Sequence, residues 1–173
     1  MDRLVHVVNA GLLALLIGGS LWLFPGLPDQ VPRHFGIGGT ADAYWEATLL
    51  HWMGLPCIAV AVAALVYGAA WWIGTPPYSI SVPNQQQYDV LDPSDKRIII
   101  GHVQAFLHWT ATAMLALFLV AQWSTYQVAM SGASTLPGYG LAVSLGMPVV
   151  LVIAALGMAW WLPRRVRKLS GES

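Results

Sequence analysis

The sequence predicts an all-α membrane protein, a four-transmembrane-helix bundle that forms one domain over residues 1–173. Hydrophobic residues make up 57% of the chain and charged residues only 9%, whereas about a quarter of an average soluble domain is charged. Four windows are apolar over the roughly 20 residues that a helix needs to cross a bilayer. The basic residues collect outside these windows, which is typical of a multi-pass membrane protein.

The predicted spans are residues 4–24, 47–73, 98–130 and 141–162. The first is expected to remain as a helix, because its apolar run exceeds the roughly 7–15 residues of a signal peptide. Pro56 predicts a kink in the second span. Asp92 and Pro93 are typical of the N-cap and first position of the third helix. That third span is the longest and must tilt or project from the bilayer, and the uncharged stretch 131–140 reads as a simple connector.

Charge predicts the orientation of the bundle. Of the eight Lys and Arg residues, Arg33 alone lies in the first connection. The others are Arg3, Lys96, Arg97, Arg164, Arg165, Arg167 and Lys168. The positive-inside rule therefore places both termini and the basic tail 163–173 in the cytoplasm, and the connection 25–46 outside. The net charge is zero, so we expect the lipid bilayer as a partner and no nucleic acid.

The connection 25–46 carries the most unusual sequence of the chain. Three prolines (Pro25, Pro28 and Pro32) restrict the backbone, and four glycines supply turns that other residues resist. These residues alternate with charged and aromatic side chains. We therefore expect a loop with one defined shape, presented outside the membrane on a helical scaffold.

The residues from Leu27 to Phe35, Leu-Pro-Asp-Gln-Val-Pro-Arg-His-Phe, followed by Gly39 and Asp42, resemble the signature of the SdpI-like bacterial membrane proteins. The stretch 78–84, with 91–97 after it, is similar to the segment of that family that leads into the third span. A lysine usually follows the loop aspartate, whereas Glu46 occupies that region here. The resemblance implies a bacterial cytoplasmic (inner) membrane location and, as in some members, immunity against a secreted peptide toxin or a sensor role.

The candidate ligand- or partner-binding residues lie in and beside this loop: Asp29, Pro32, Arg33, His34, Phe35, Asp42, Glu46 and His51. Polar loops on a rigid scaffold commonly carry recognition. Imidazole and carboxylate groups also bind metals, so His34, Asp42 and His51 are candidate metal ligands. A structural role explains the same residues: Asp29 and Asp42 as turn-forming residues, and Arg33 in a surface ion pair with Asp29 or Glu46.

Histidines inside membrane spans need a partner or a function. His6 and His102 fall at similar depth in the first and third predicted spans, so they are the candidate axial ligands of a haem. Hydrogen bonds to Asn9, Gln104 or a backbone carbonyl explain intramembrane histidines equally well. The sequence requires no cofactor.

The sequence contains no nucleophile elbow and no phosphate-binding glycine loop, and we expect no enzymatic activity. The first hypothesis is that the outer loop binds a ligand, protein or peptide. An alternative is an accessory subunit of a larger membrane complex, because nine tryptophans and an aliphatic fourth span give ample apolar surface. A haem- or metal-binding membrane protein is the third hypothesis.

Overall fold

The computed structural model describes residues 2–78 and 80–171. Its four long helices, each long and apolar enough to cross a membrane, are α1 (Asp2–Leu23), α3 (Gly54–Ile73), α5 (Pro93–Ser131) and α6 (Gly138–Leu169). Shorter elements are a 3-10 turn (Phe24–Gly26), strands β1 (Gln30–Phe35) and β2 (Ala41–Glu46), and helices α2 (Leu49–Trp52) and α4 (Gln85–Asp89). The prediction of a bundle with four long apolar helices is confirmed.

Helix α5 is the centre of the bundle, because α1, α3 and α6 each pack against it. Leu16 of α1, Ala59 of α3 and Leu115 of α5 are almost fully buried against one another. The 39 residues of α5 correspond to about 58 Å of helix at 1.5 Å per residue. Since a bilayer core is about 30 Å thick, α5 extends beyond it. The helix begins at Pro93 after Asp92, which confirms the predicted start.

The second predicted span differs from the structure at its outer end. The chain forms α2, breaks at Met53 and continues as α3 from Gly54, so the span is interrupted as Pro56 predicted, but three residues before the proline. Pro56 lies in the first turn of α3, where an α-helix leaves its N–H groups without internal partners and proline costs little. The indole Nε1 of Trp52 donates to the Ser20 carbonyl at 2.7 Å, which fixes α2 against the end of α1.

The first connection folds into an antiparallel hairpin of β1 and β2, with Gln30 opposite Glu46 and Val31 opposite Trp45. Backbone bonds from Gly39 N to Gly36 O and from Gly36 N to Thr40 O close its turn. Gly39 has a φ of +76°, which favours glycine. Val31 is 3% exposed, and β1 packs against α5. The hairpin is therefore part of the folded bundle.

The connection between α5 and α6 lies beside the hairpin and pairs with it. Thr135 forms a β-bridge with Thr40, and backbone bonds run from Ala41 N to Ser134 O and from Leu136 N to Gly39 O. The prediction that 131–140 is a simple connector was therefore wrong in this respect. We call the end of the bundle formed by β1, β2 and residues 132–137 the hairpin end.

Residues 74–78, 80–92 and 163–171 meet at the opposite end, which we call the tail end. Tyr88 and Val166 are buried in a small core there, and Asn84 donates to the Pro163 carbonyl. The Tyr88 hydroxyl donates to the Tyr78 carbonyl. Burial raises the pKa of the Tyr88 phenol above its ordinary value of 10.0, and the neighbouring Asp89 carboxylate raises it further. The second connection is thus a folded cap.

Candidate functional site

The hairpin and α2 carry two sets of side chains, each held together by its own contacts. His34 and Asp42 form the first set, and Arg33, Trp45 and His51 form the second. We call these five residues the hairpin surface. His51 lies on α2 and the other four lie on the strands. A bulge in β1 between Pro32 and His34 changes the pairing with β2, and bulges turn individual side chains away from the regular alternation.

His34 and Asp42 form the one ion pair within 4.0 Å found in the described part of the chain, with His34 Nδ1 at 2.6 Å from Asp42 Oδ1. Their side chains are 66% and 52% exposed, so water screens the pair and its contribution to stability is small. An ionised carboxylate only accepts hydrogen bonds, so the imidazole donates from Nδ1. The contact therefore orients the ring and leaves its Nε2 available to a ligand.

The second set is a stack of three side chains. The Arg33 guanidinium lies 5.2 Å from the centre of the Trp45 ring, and the Trp45 and His51 rings stack at 4.7 Å. His51 Nδ1 is 2.9 Å from the Glu46 carbonyl oxygen and donates to it. The stack holds Arg33 by a cation–π contact, and the described residues contain no ion pair of Arg33 with Asp29 or Glu46, contrary to that expectation.

The remaining predicted residues support the hairpin in different ways. The Asp29 carbonyl accepts a bond from Ala47 N at 2.8 Å and closes the base of the hairpin. Pro32 is buried opposite Tyr44, and Phe35 pairs with Ala41. The turn is closed by backbone bonds, and the Asp42 carboxylate contacts His34 instead of fixing this turn as a structural role would require.

A cavity of about 390 Å³ separates the base of the hairpin from the end of α5. Asp29, Gln30 and Tyr44 line one side and Val128 and Gly132 the other. Its volume falls within the roughly 300–1,000 Å³ of small-molecule sites. This opening adds acidic and hydrogen-bonding groups next to the hairpin surface.

The structure does not bring the candidate metal ligands together. Within residues 2–78 and 80–171, no group of three or more His, Cys, Asp or Glu side chains is placed to hold a metal ion. His34 contacts Asp42, whereas His51 contacts Trp45 and the backbone at Glu46. The hairpin surface thus combines one ion pair with a cation–π contact and an aromatic stack.

The two candidate haem ligands also have different neighbours. The His6 ring lies 4.6 Å from that of His108, while His102 lies 5.1 Å from Trp161 and its Nδ1 donates to the Ile98 carbonyl. The sequence predicted that His6 and His102 lie at similar depth. In the structure they do not, because α5 begins well before its apolar segment. Six residues of helix rise, about 9 Å, separate His102 from His108.

His6 and His108 belong to a polar cluster that joins α1, α3 and α5, in which Asn9 is buried and His6 is exposed. His6 Nδ1 is 3.1 Å from the Tyr67 hydroxyl, and Asn9 Nδ2 donates to the same hydroxyl at 2.9 Å. Asn9 also donates to the His108 carbonyl, and the Thr112 hydroxyl donates to Asn9 Oδ1 at 2.7 Å. Since the His6 and His108 rings are in edge contact, a haem does not fit between them.

Sequence reasoning missed three of the residues that matter here: Tyr67, Thr112 and Trp45. Tyr67 could have been identified from the sequence, because a tyrosine among aliphatic residues of a membrane span needs a hydrogen-bond partner. Trp45 follows the signature directly and is of a type enriched where proteins recognise partners.

Residues 11–60 match the model of a family described as Domain of unknown function (DUF1648). The matched region covers under a third of the chain, and it includes most of α1, the whole hairpin, α2 and the start of α3. No curated protein and no solved structure matches the chain.

Proposed function

We propose that this protein lies in the bacterial cytoplasmic membrane and uses the hairpin surface to bind a protein or peptide ligand on the outer side. The main observation is a set of exposed side chains, Arg33, His34, Asp42 and Trp45, on a hairpin that packs against α5, with the half-buried His51 of α2 beside Trp45. A rigid surface loses little conformational freedom on binding, which favours affinity. Arg and Trp are also among the residues that most often dominate binding energy at interfaces.

The orientation rests on charge. Seven of the eight Lys and Arg residues belong to the start of the chain, the second connection or the tail, and Arg33 alone belongs to the hairpin. The basic segments retained in the cytoplasm set the orientation of a multi-pass protein. We therefore propose that the tail end and both termini face the cytoplasm.

The family match covers the complete hairpin, and residues 27–35 resemble the SdpI-like signature. The resemblance supports a binding role, of the immunity or sensor type, centred on this element. In the immunity role the ligand is a secreted toxin peptide, and in the sensor role ligand binding outside changes an interaction in the cytoplasm. A mixed surface of one cation, one carboxylate and aromatic rings suits a peptide better than a purely charged ligand.

The test is co-purification of the full chain from native membranes at mild ionic strength. His34→Ala removes the imidazole, and Asp42→Ala removes the group that orients it. Each substitution is expected to lower recovery of the bound protein or peptide about tenfold, the result of losing about 1.4 kcal/mol of binding free energy.

His102→Ala is the matched control, because His102 is also an exposed histidine but lies in α5 near the tail end. The His102→Ala variant should recover as much ligand as the unchanged chain. Equal recovery with His34→Ala and Asp42→Ala, at unchanged expression and helix content, would refute recognition through the hairpin.

A second candidate is an accessory subunit of a larger membrane complex. Every residue of α6 from 141 to 165 keeps part of its surface exposed, and large apolar side chains such as Val149, Ile153 and Leu156 are more than half exposed. Lipid or a partner helix covers such a surface equally well. Mass measurement of the natively extracted protein separates the two, since a homogeneous monomer or homodimer excludes a subunit role.

A further inference from the structure

The last two turns of α6 carry basic side chains on one side and are packed on the other. Val166 is fully buried in the small core of the tail end, and two leucines of α6 pack against that core. Arg164, Arg167 and Lys168 are exposed. At 3.6 residues per turn these three cations fall within about 100° of arc, so they form one basic strip that points away from Val166.

Trp160 lies on the same side of the helix, one turn before Arg164, and is 62% exposed. Arg164 Cζ lies 3.5 Å from the centre of the Trp160 ring, and the guanidinium donates to the Trp160 carbonyl at 2.8 Å. These contacts hold the guanidinium against the ring. We call Trp160, Arg164, Arg167 and Lys168 the tail face.

The tail face lies at the edge of the membrane. Tryptophan rings collect where the hydrocarbon of a bilayer meets the headgroups. Helix rise puts Arg164 about 6 Å and Lys168 about 12 Å beyond Trp160. The headgroup layer is about 5–8 Å deep on each side of a bilayer, and long basic side chains reach along a surface toward their preferred surroundings. The cations are therefore at the level of lipid headgroups.

No carboxylate of the described residues neutralises these cations. The one ion pair within 4.0 Å in residues 2–78 and 80–171 joins His34 to Asp42, far along the chain from α6. Arg164 uses one donor on the Trp160 carbonyl, and its guanidinium has further N–H groups. A guanidinium matches the oxygens of a phosphate group with two parallel hydrogen bonds. The tail face therefore suits a phosphate that carries net negative charge.

The exposed side of α6 continues from Trp160 as an apolar strip. Leu156 is 65% and Ile153 is 63% exposed, and both fall within about 40° of Trp160 around the helix. A ligand that covers cations and strip together has an anionic group joined to an apolar body, as an anionic phospholipid does. The ammonium group of a zwitterionic phospholipid cancels the charge of its phosphate, so such a lipid gains less from three cations.

We propose that the tail face binds the headgroup of an anionic phospholipid, with its phosphodiester on Arg164 and Arg167 and its acyl chains along Trp160, Leu156 and Ile153. The site is independent of the hairpin surface, and it does not depend on which side of the membrane the tail end faces.

The experiment offers the full chain, in detergent micelles, equal amounts of phosphatidylglycerol and phosphatidylcholine with identical acyl chains. Native mass spectrometry counts the bound lipids of each kind. The unchanged chain is expected to retain phosphatidylglycerol in at least about fivefold excess, because each cation near an anionic lipid surface favours binding by about that factor. Equal retention of the two lipids would overturn the proposal.

Arg164→Gln combined with Arg167→Gln removes two cations of the tail face and is expected to reduce the excess to below about twofold. Arg3→Gln combined with Arg97→Gln is the matched control, because it removes two exposed cations from the first turns of α1 and α5 at the same end of the bundle. The control should keep the excess. Equal loss in the two double variants would assign the preference to overall charge and overturn the site.

Lys168→Gln is a second variant, which leaves the Arg164 contact with Trp160 in place. It should lower the excess in the same direction at unchanged helix content. An unchanged excess in this variant and in the tail-face double variant would contradict the proposal.

Glycerol phosphate tests a soluble phosphate as the ligand. At the concentration of the lipid it is expected to leave phosphatidylglycerol bound, because it lacks the apolar body that lies along Leu156 and Ile153. Displacement of the lipid at equal concentration would show that the tail face takes a soluble phosphate, and would overturn the assignment to a phospholipid.

Discussion

At the scale of single residues, Asn9 has the most consequential position inside the bundle. It is 3% exposed, and its amide bonds to Tyr67 on α3 and to both His108 and Thr112 on α5. A short amide can satisfy all of its hydrogen-bonding groups in this way only when three helices keep one register. Asn9 therefore determines how α1 is placed along its neighbours.

We predict that Asn9→Leu lowers the free energy of unfolding by about 2 kcal/mol, since each of three interhelical bonds in a membrane contributes about 0.6 kcal/mol. Thr112→Val removes one of them and should cost about 0.6 kcal/mol. Unfolding in mixed micelles, followed by circular dichroism, measures both. Thr110→Val is the control, because the Thr110 hydroxyl bonds only to Phe106 O of its own helix. A loss for Thr110→Val equal to that for Thr112→Val would contradict the assigned role of the Asn9 contacts.

At the scale of helices and strands, the close approach of α5 and α6 depends on one glycine. A Cβ added at Gly140 would lie 2.5 Å from Ser124 Oγ and 3.1 Å from Ser124 Cβ. Both distances are shorter than van der Waals contact, and Ser124 is 1% exposed. The first turn of α6 must therefore move away from α5 if Gly140 gains a side chain.

Gly140→Ala should accordingly destabilise the bundle by about 1–3 kcal/mol through overpacking. Gly146→Ala on the same helix meets nothing within 4 Å and should stabilise it by up to about 1 kcal/mol, the difference in helix propensity. Thermal unfolding in detergent measures both effects. Adding Ser124→Gly to Gly140→Ala removes the obstructing side chain and should restore most of the loss. No recovery in this double variant would show that the Ser124 contact is not the cause.

The hairpin was the element least accessible from the sequence. Pro32 lies within β1, and proline is excluded from the central strands of sheets but tolerated at edges and bulges. The structure has a bulge directly after Pro32. Pro32, a residue type that disfavours regular strands, therefore lies next to the irregular part of β1. Prolines and glycines in this loop therefore predicted a defined shape, but they did not predict strand pairing.

At the scale of the whole molecule, apolar length and charge were sufficient to predict the four helices, because a bilayer imposes about 20 apolar residues per span. The sequence did not predict which residues of neighbouring helices lie at the same depth. Whether His6 meets His102 or His108 depends on where α5 begins relative to α1, and no local pattern encodes this offset. Of the candidate site, the sequence named His34, Asp42 and His51 as candidates, whereas the contact between His34 and Asp42 and the contacts of His51 required the structure.

The orientation predicts a labelling pattern. In a Cys57→Ala background, Ile37→Cys places a thiol at the hairpin turn, where Ile37 is 90% exposed, and Asp92→Cys places one at the exposed start of α5. A membrane-impermeant maleimide should label Ile37→Cys in intact cells. It should label Asp92→Cys only after the membrane is permeabilised. The reverse pattern would place the hairpin in the cytoplasm and remove the basis for an outer binding surface.

The pairing of the hairpin with residues 134–136 joins two elements that are far apart in the chain. Because Gly39 and Ala41 are bonded directly to the residues that precede α6, the hairpin cannot shift without carrying the first turn of α6 with it. The other end of α6 carries Arg164, Arg165 and the rest of the basic tail. If the hairpin binds a ligand as proposed, these backbone hydrogen bonds join that ligand to the first turn of a helix whose other end carries the basic tail.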